Sequence, residues 1–338
     1  MPGPLSRCSG VREERGLRAE QLLLPEVSQK NQYELGTRVL RDLFTASMRS
    51  LMDAMGPDVA VEAVRPLFRY LGMQGAWDIR TAFRIEGEEL SDVAMTLALD
   101  HLRIGVGEVE VSVGEEYARL TYRHCPFAEA PMEACLVVCQ NVSEGACRSF
   151  DEELQVDTCR MMKTGDPECS KLIKLDDAVE IRPGQDTYSP LHVLDTEGSG
   201  AWDGLAYDFM LEAWLNVLKV LIAFNGREGA DRLVEARARG TGTALGRVLL
   251  DRSGMTGGTA EAAGLAVHSL RAALGIQDVV VEEEGCITLV QLDSPFTRLI
   301  PSAGGMVEAL QAGIVEAVSP ACTIRASGTA EEVRWTII

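Results

Sequence analysis

The stretch "HCPFAEAPMEACLVVC", residues 124–139, sets one histidine and three cysteines within sixteen residues, and Cys159 and Cys169 follow it. Thiolate and imidazole ligate zinc, a thiolate also attacks electrophilic carbon, and a free thiol packs well inside a core. Three chemistries are therefore open: metal binding, covalent catalysis and plain packing. Cys135 and Cys139 stand four apart on an expected helix and share its face. Cys125 ends the hairpin before that helix, next to the helix N-terminus, and Cys169 opens the last strand just past the turn "TGDPE". Cys125, Cys139 and Cys169 are thus expected to converge where a hairpin end, a helix face and a second hairpin meet. With His124 as a fourth ligand they suit a tetrahedral zinc site, or iron, although the spacing is not that of zinc-finger knuckles. Read as a nucleophile, Cys125 has a lowered pKa from the helix N-terminus and from His124, the one evident general base. Cys135, Cys147, Cys159 and Cys322 read as small core residues, and His101 and His268 as structural.

The elements that must position these residues occur twice. "LALDHLR" (97–103) matches "LAVHSLR" (265–271), and each is followed by two strand-like runs joined by a tight turn, ending in Pro-Phe at Phe127 and Phe296. Upstream, "LMDAMGPDVAVEAV" (51–64) aligns without gaps on "LIAFNGREGADRLV" (221–234), placing Gly56 on Gly226 where one helix ends and another begins. Downstream, "TCRMMKTGDPEC" (158–169) aligns on "ACTIRASGTAEE" (321–332), pairing Cys159 with Cys322 and Gly165 with Gly328. The expected fold is α+β, with two tandem copies of a helix-helix-helix-hairpin-helix-hairpin ligand-binding domain related by a pseudo-twofold axis. The expected boundaries are a polar tail at 1–32, a first domain at 33–176, a Pro-, Gly- and Asp-rich linker at 177–203, and a degenerate second copy at 204–338. In that second copy His124-Cys125 becomes Asp293-Ser294 and Cys169 becomes Glu332. Ser and Glu are poor replacements for core thiols, which favours a functional role for the first copy's cysteines.

Composition excludes several classes of partner. A formal net charge of −19 on 338 residues argues against nucleic acid and anionic membrane surfaces, which are held by clustered Lys and Arg. No apolar run approaches the ~18 residues of a membrane span, and the start "MPGPLSRCSGVREERG" lacks the apolar core of a signal peptide. A cytoplasmic protein is expected, with reduced thiols in place of a disulfide framework. The charge runs "EGEEL" and "VEEEG" read as solvated surface, and "GTGTALGRVLLDRSGMTGG" as a helix and loop without phosphate-loop spacing.

"CPF" closing a hairpin, the helix carrying Cys139, and "DTCRMMKTGDPECSKLI" (157–173), with its Gly-Asp turn four residues before Cys169, resemble the L-2-amino-thiazoline-4-carboxylic acid hydrolase family. That family is in turn similar to the four-vinyl-reductase (4VR) domains that sense small molecules. The resemblance covers about 33–176, and Cys125, Cys139, Gly165 and Cys169 carry it. It implies an α+β ligand-binding fold and a hydrolase that adds water to the amidine-like carbon of a thiazoline ring. Two functions stand side by side. One is a hydrolase acting on a small cyclic amidine or thiazoline, with Cys125, Cys139, Cys169 and His124 as catalytic or metal-bearing residues. The other is a non-catalytic sensor of a small molecule or metal. The partners expected are a small-molecule ligand or substrate and, as an open alternative, a second copy of the chain in a homodimer.

Overall fold

The structure is a computed structural model that describes residues 29–106, 108–175, 187–188, 199–253, 256–283, 286–294, 304–328 and 333–338. Residues 1–28 of the expected tail, most of the expected linker, Pro295-Phe296 and Glu332 lie outside these, whereas 29–32, expected in the tail, open the first helix. The chain is α+β, and it divides into two compact units, 29–241 and 242–338 as far as the described residues go.

The first unit opens with α1 (Gln29–Met55), α2 (Pro57–Phe83) and α3 (Leu90–Arg103). Gly56 joins the first two with φ 87°, a left-handed conformation that glycine adopts without a Cβ penalty, and Pro57 pre-sets the first turn of α2. A hairpin follows, β1 (Val109–Val113) and β2 (Tyr117–Tyr122). The next helix, α4, has three parts: an α-helical turn Met132–Cys135, a π-helical stretch Leu136–Asn141 and an α-helical end Val142–Arg148. A second hairpin, β3 (Gln155–Arg160) and β4 (Cys169–Lys174), completes the core, and β5 (Thr187–Tyr188) adds a short edge. The sheet order is β3-β4-β2-β1-β5, with each neighbouring pair antiparallel.

Two contacts fix the position of α4, the helix that bears the cysteines. A Cβ on Gly72 of α2 would overlap the Val142 carbonyl of α4, and a Cβ on Gly145 of α4 would overlap the Arg69 carbonyl of α2. The helices can approach this closely only because each presents a glycine to the other's backbone. Arg69 Nε then donates to Glu144 Oε2 at 2.7 Å beside that crossing. The loop before α4 is anchored by Phe127, which is 1 % exposed and meets Phe44 of α1 edge-on at 6.1 Å. Burying such a ring contributes roughly 1.5–3 kcal/mol, so the "CPF" motif ties the site loop to the core.

The helix α5 (Ser199–Ser253) is interrupted at Gly226, where φ is 69° and ψ 171°. The boundary between the units falls inside it, at 241/242, and not in the stretch expected to be a linker. Its first part belongs with the first unit for a physical reason: Trp214 is fully buried and donates from Nε1 to Ser47 Oγ at 3.1 Å, and the Leu233 carbonyl accepts from Ser50 Oγ at 2.8 Å. The second unit continues with α6 (Ala260–Ala273), β6 (Gln277–Glu283), β7 (Cys286–Asp293), α7 (Gly304–Val318), β8 (Ile324–Gly328) and β9 (Val333–Ile337), in the sheet order β6-β7-β9-β8. A buried ion pair organises it, Arg271 donating to Asp278 at 2.6 and 2.7 Å and to Gln291 Oε1 at 2.9 Å. Among the described residues no helix is long and apolar enough to cross a membrane.

The ungapped downstream alignment fails in three dimensions. Gly165 lies in the turn between β3 and β4 with φ 99°, whereas Gly328 is the last residue of β8. The first unit carries eight residues between its hairpin strands (161–168) against four in the second (329–332), so pairing residues without a gap slides one strand past the other. Cys159 and Cys322 are accordingly not equivalent.

Candidate functional site

Cys125, Cys139 and Cys169 line one cavity, as the sequence led us to expect, and His124 stands at its rim with an exposed side chain. The strands contribute in register: Cys169 pairs with Tyr122, and Lys171, two residues on and on the same face, pairs with Leu120 on one side and Thr158 on the other. The helix α4 supplies Cys135, Leu136, Cys139 and Gln140. Met161 and Met162, from the turn between β3 and β4, complete the wall. That turn is tied down by Lys163, whose Nζ donates to the Ala128 carbonyl at 2.6 Å, and by the Met162 amide, which donates to Cys169 Sγ at 3.2 Å. The cavity measures about 30 Å³, room for about two waters.

Sequence reasoning missed the polar floor of this cavity. Lys171 is 2 % exposed, an extreme position for an ammonium group. Its three acceptors are the Cys139 carbonyl, Ser143 Oγ and His101 Nε2, the last at 3.1 Å. His101 Nδ1 lies 2.8 Å from the Leu97 carbonyl, which can only accept, so Nδ1 carries the proton and Nε2 is left to accept from Lys171. The ring stacks on Tyr122 with centroids 4.9 Å apart. Ser143 Oγ in turn donates to the Cys139 carbonyl at 2.5 Å. That carbonyl belongs to the π-helical stretch, a departure from α geometry that recurs at functional sites. His101 therefore does more than fill the core, and the signal available beforehand was Lys171 itself, a cation in the middle of the strand "CSKLIK".

Electrostatics sort the thiols. Burial pushes Cys125 up to about 11, with neighbouring Cys139 acting in the same sense. The activated Cys125 expected beside a helix N-terminus is thus not found, because loss of solvent outweighs the favourable terms. Cys169 is also raised by burial. Cys135 behaves differently: a hydrogen bond from the Cys139 thiol lowers it, while Cys139, which gives that bond, is held well above the usual thiol range. The two sit one turn apart and share a proton, so they titrate as a pair. Lys171 favours the charged form of that pair, and its own pKa is lowered, chiefly by burial.

The other cysteines divide. Cys147 is a buried core residue, raised to about 12 by burial. Cys135, expected in the core, faces the cavity. Cys159, also expected in the core, is exposed, because β3 carries a bulge between Thr158 and Arg160 that turns the extra residue outward. Cys322 accepts from Ser319 Oγ at 3.1 Å. In the second unit Ser294, which the sequence aligns with Cys125, is buried. All eight cysteines among the described residues are free thiols.

Among the described residues no three His, Cys, Asp or Glu side chains stand together as ligands for an ion. Cys125, Cys139 and Cys169 share a cavity without forming such a set. No family model, curated protein or solved structure matches the chain.

Proposed function

We propose that residues 29–174 form a small-molecule-binding domain whose thiol-lined cavity hydrolyses a small cyclic amidine or thiazoline-type substrate. The reading accords with the resemblance to the L-2-amino-thiazoline-4-carboxylic acid hydrolase family. The observation that carries it is an ionisable thiol pair, Cys135 and Cys139, set beside the buried Lys171 ammonium. In this mechanism the thiolate adds to the amidine carbon, the ring C–S bond breaks, and the released sulfur takes up a proton. Water then adds to the same carbon, the bond to the enzyme sulfur breaks, and the thiol is restored, one water being consumed per ring opened. Lys171 offsets the negative charge of the attacking sulfur, while Cys125 and Cys169, held protonated, line the wall. A five-membered ring needs more than the present 30 Å³, so Met161 and Met162 must give way, which thioether side chains do readily. Incubation of the full chain with 2-amino-thiazoline-4-carboxylate should release free thiol catalytically. Cys135→Ser should abolish this with little change in melting temperature, and absence of turnover by the native chain would refute the hydrolase reading.

A second reading is favoured by one specific observation: both ring nitrogens of His101 are engaged, leaving no free base on the cavity floor. In that case the domain binds its ligand without turnover, as a sensor of the four-vinyl-reductase type. Saturable binding of the thiazoline that protects Cys135 from alkylation, without thiol release, distinguishes it. Zinc or iron on Cys125, Cys139 and Cys169 belongs to this reading and is tested by elemental analysis of native protein beside a Cys125→Ser, Cys169→Ser variant.

We also propose that the chain holds two copies of one duplicated domain, at 33–176 and 204–338. Three features support it: the shared order β1-β2-β4-β3 and β6-β7-β9-β8, the left-handed glycines Gly56 and Gly226 at aligned helix junctions, and the buried Arg103 and Arg271 at aligned positions.

A further inference from the structure

We infer that a second cavity, between α2 and the first part of α5, binds a small organic cation that carries an oxygen acceptor a short chain away, an amino alcohol of the choline kind. The site is independent of the thiol cavity and of the hydrolase reading. It measures about 400 Å³, more than tenfold the volume of the thiol cavity and within the range of small-ligand pockets.

One wall is aromatic. Tyr70, Met73 and Trp77 recur along α2 at the spacing of one helix face, and they are 59 %, 42 % and 69 % exposed. Single exposed apolar residues are ordinary, but three in a stripe at the rim of a cavity mark a binding surface. The opposite wall is acidic, with Asp208 and Glu212 one turn apart on α5, and Asp78 follows Trp77 on α2. Asp78 and Asp208 make no ion pair among the described residues, while Glu212 stands 3.9 Å from Lys219. Asp208 is raised above the usual carboxylate range by burial and then by Asp78 and Glu212, which together outweigh the opposing charge of Arg103. Carboxylates flanking aromatic faces attract an ammonium group by charge and by the ring quadrupole together.

The floor supplies the second half of the recognition. Arg103 has a side chain only 2 % exposed, its guanidinium is paired with Asp100, and its Cζ lies 4.4 Å above the Phe209 ring. Its charge is therefore already offset. A side chain at Gly75 would overlap this guanidinium, so the glycine is what lets Arg103 reach the floor. The Arg103 Nε–H has no hydrogen-bond partner, an orphan donor that a hydroxyl oxygen on the ligand would satisfy.

The test is calorimetric titration of the full chain with choline, with its uncharged isostere 3,3-dimethylbutan-1-ol, and with tetramethylammonium, which lacks the hydroxyl. Saturable choline binding is expected, with the neutral alcohol roughly fivefold or more weaker for loss of one charge contact and tetramethylammonium weaker by a similar factor for loss of the Arg103 contact. Trp77→Ala should weaken choline roughly 2- to 30-fold and Asp208→Asn roughly fivefold. Both positions face solvent, so melting temperatures should hold. Equal binding of the neutral alcohol, or no saturable binding of choline, overturns the inference. Binding of a lysine-rich peptide without choline binding also overturns it, in favour of a protein partner.

Discussion

Burial holds the Cys125 thiol at about 11, and this sets its reactivity in a way that alkylation can measure. At pH 8 an ordinary thiol of pKa ~8.5 is roughly one-quarter thiolate, whereas one at 11 is about one part in a thousand, a deficit of roughly 200-fold. The rarer thiolate is also the stronger nucleophile, and a Brønsted slope of ~0.4–0.5 over ~2.5 pH units returns a factor of roughly 10 to 18. Native Cys125 should therefore react with iodoacetamide roughly 10- to 25-fold more slowly than the same residue in urea at pH 8, before any steric shielding slows it further. The sign of the pH dependence follows from the same shift. The folded thiol keeps its proton where the unfolded one has lost it, so the native rate should climb about tenfold per pH unit until it levels near 11. Quenched aliquots read by peptide mass spectrometry give the rate at each pH. A native rate that levels off below pH 9, or that equals the unfolded rate at pH 8, would show that Cys125 is an activated thiol and that its burial was misjudged.

Three further outcomes are expected. Lys171→Met removes the cation that favours the charged form of the Cys135–Cys139 pair, so the pH midpoint of Cys135 alkylation should move upward, while Lys171→Arg should restore part of it. Cys147 is fully buried and raised to about 12, so the fold is most stable below the unfolded thiol pKa and loses stability as pH rises through the alkaline range. That loss should reach roughly 3 kcal/mol by about pH 11, and urea titrations of Cys147→Ala at pH 8 and 11 should show a correspondingly flatter pH dependence. Gly72→Ala drives a methyl group into the Val142 carbonyl, and it should cost roughly 1–3 kcal/mol and lower the melting temperature by several degrees.

The sequence alone determined the elements and their order, because those depend on local spacing. Apolar periodicity marked helices and strands, and a glycine opposite a glycine in the aligned helix ends marked Gly56 and Gly226, both of which adopt positive φ. The meeting of separate segments was legible too, since a hairpin end, a helix face and a strand start have few ways to assemble around one layer of sheet, and Cys125, Cys139 and Cys169 do line one cavity. What only the tertiary structure decided was the state of each side chain. A bulge in β3 turned Cys159 outward, and α4, seated by the Gly72–Gly145 crossing, presents Cys135 to the cavity. Loss of solvent then reversed the expected activation of Cys125, and Lys171 found its three acceptors on α3 and α4, far away in the chain. Spacing along a chain fixes which way neighbouring residues point; ionisation depends on what burial removes and on which distant groups replace the lost water, and those are properties of the packed whole.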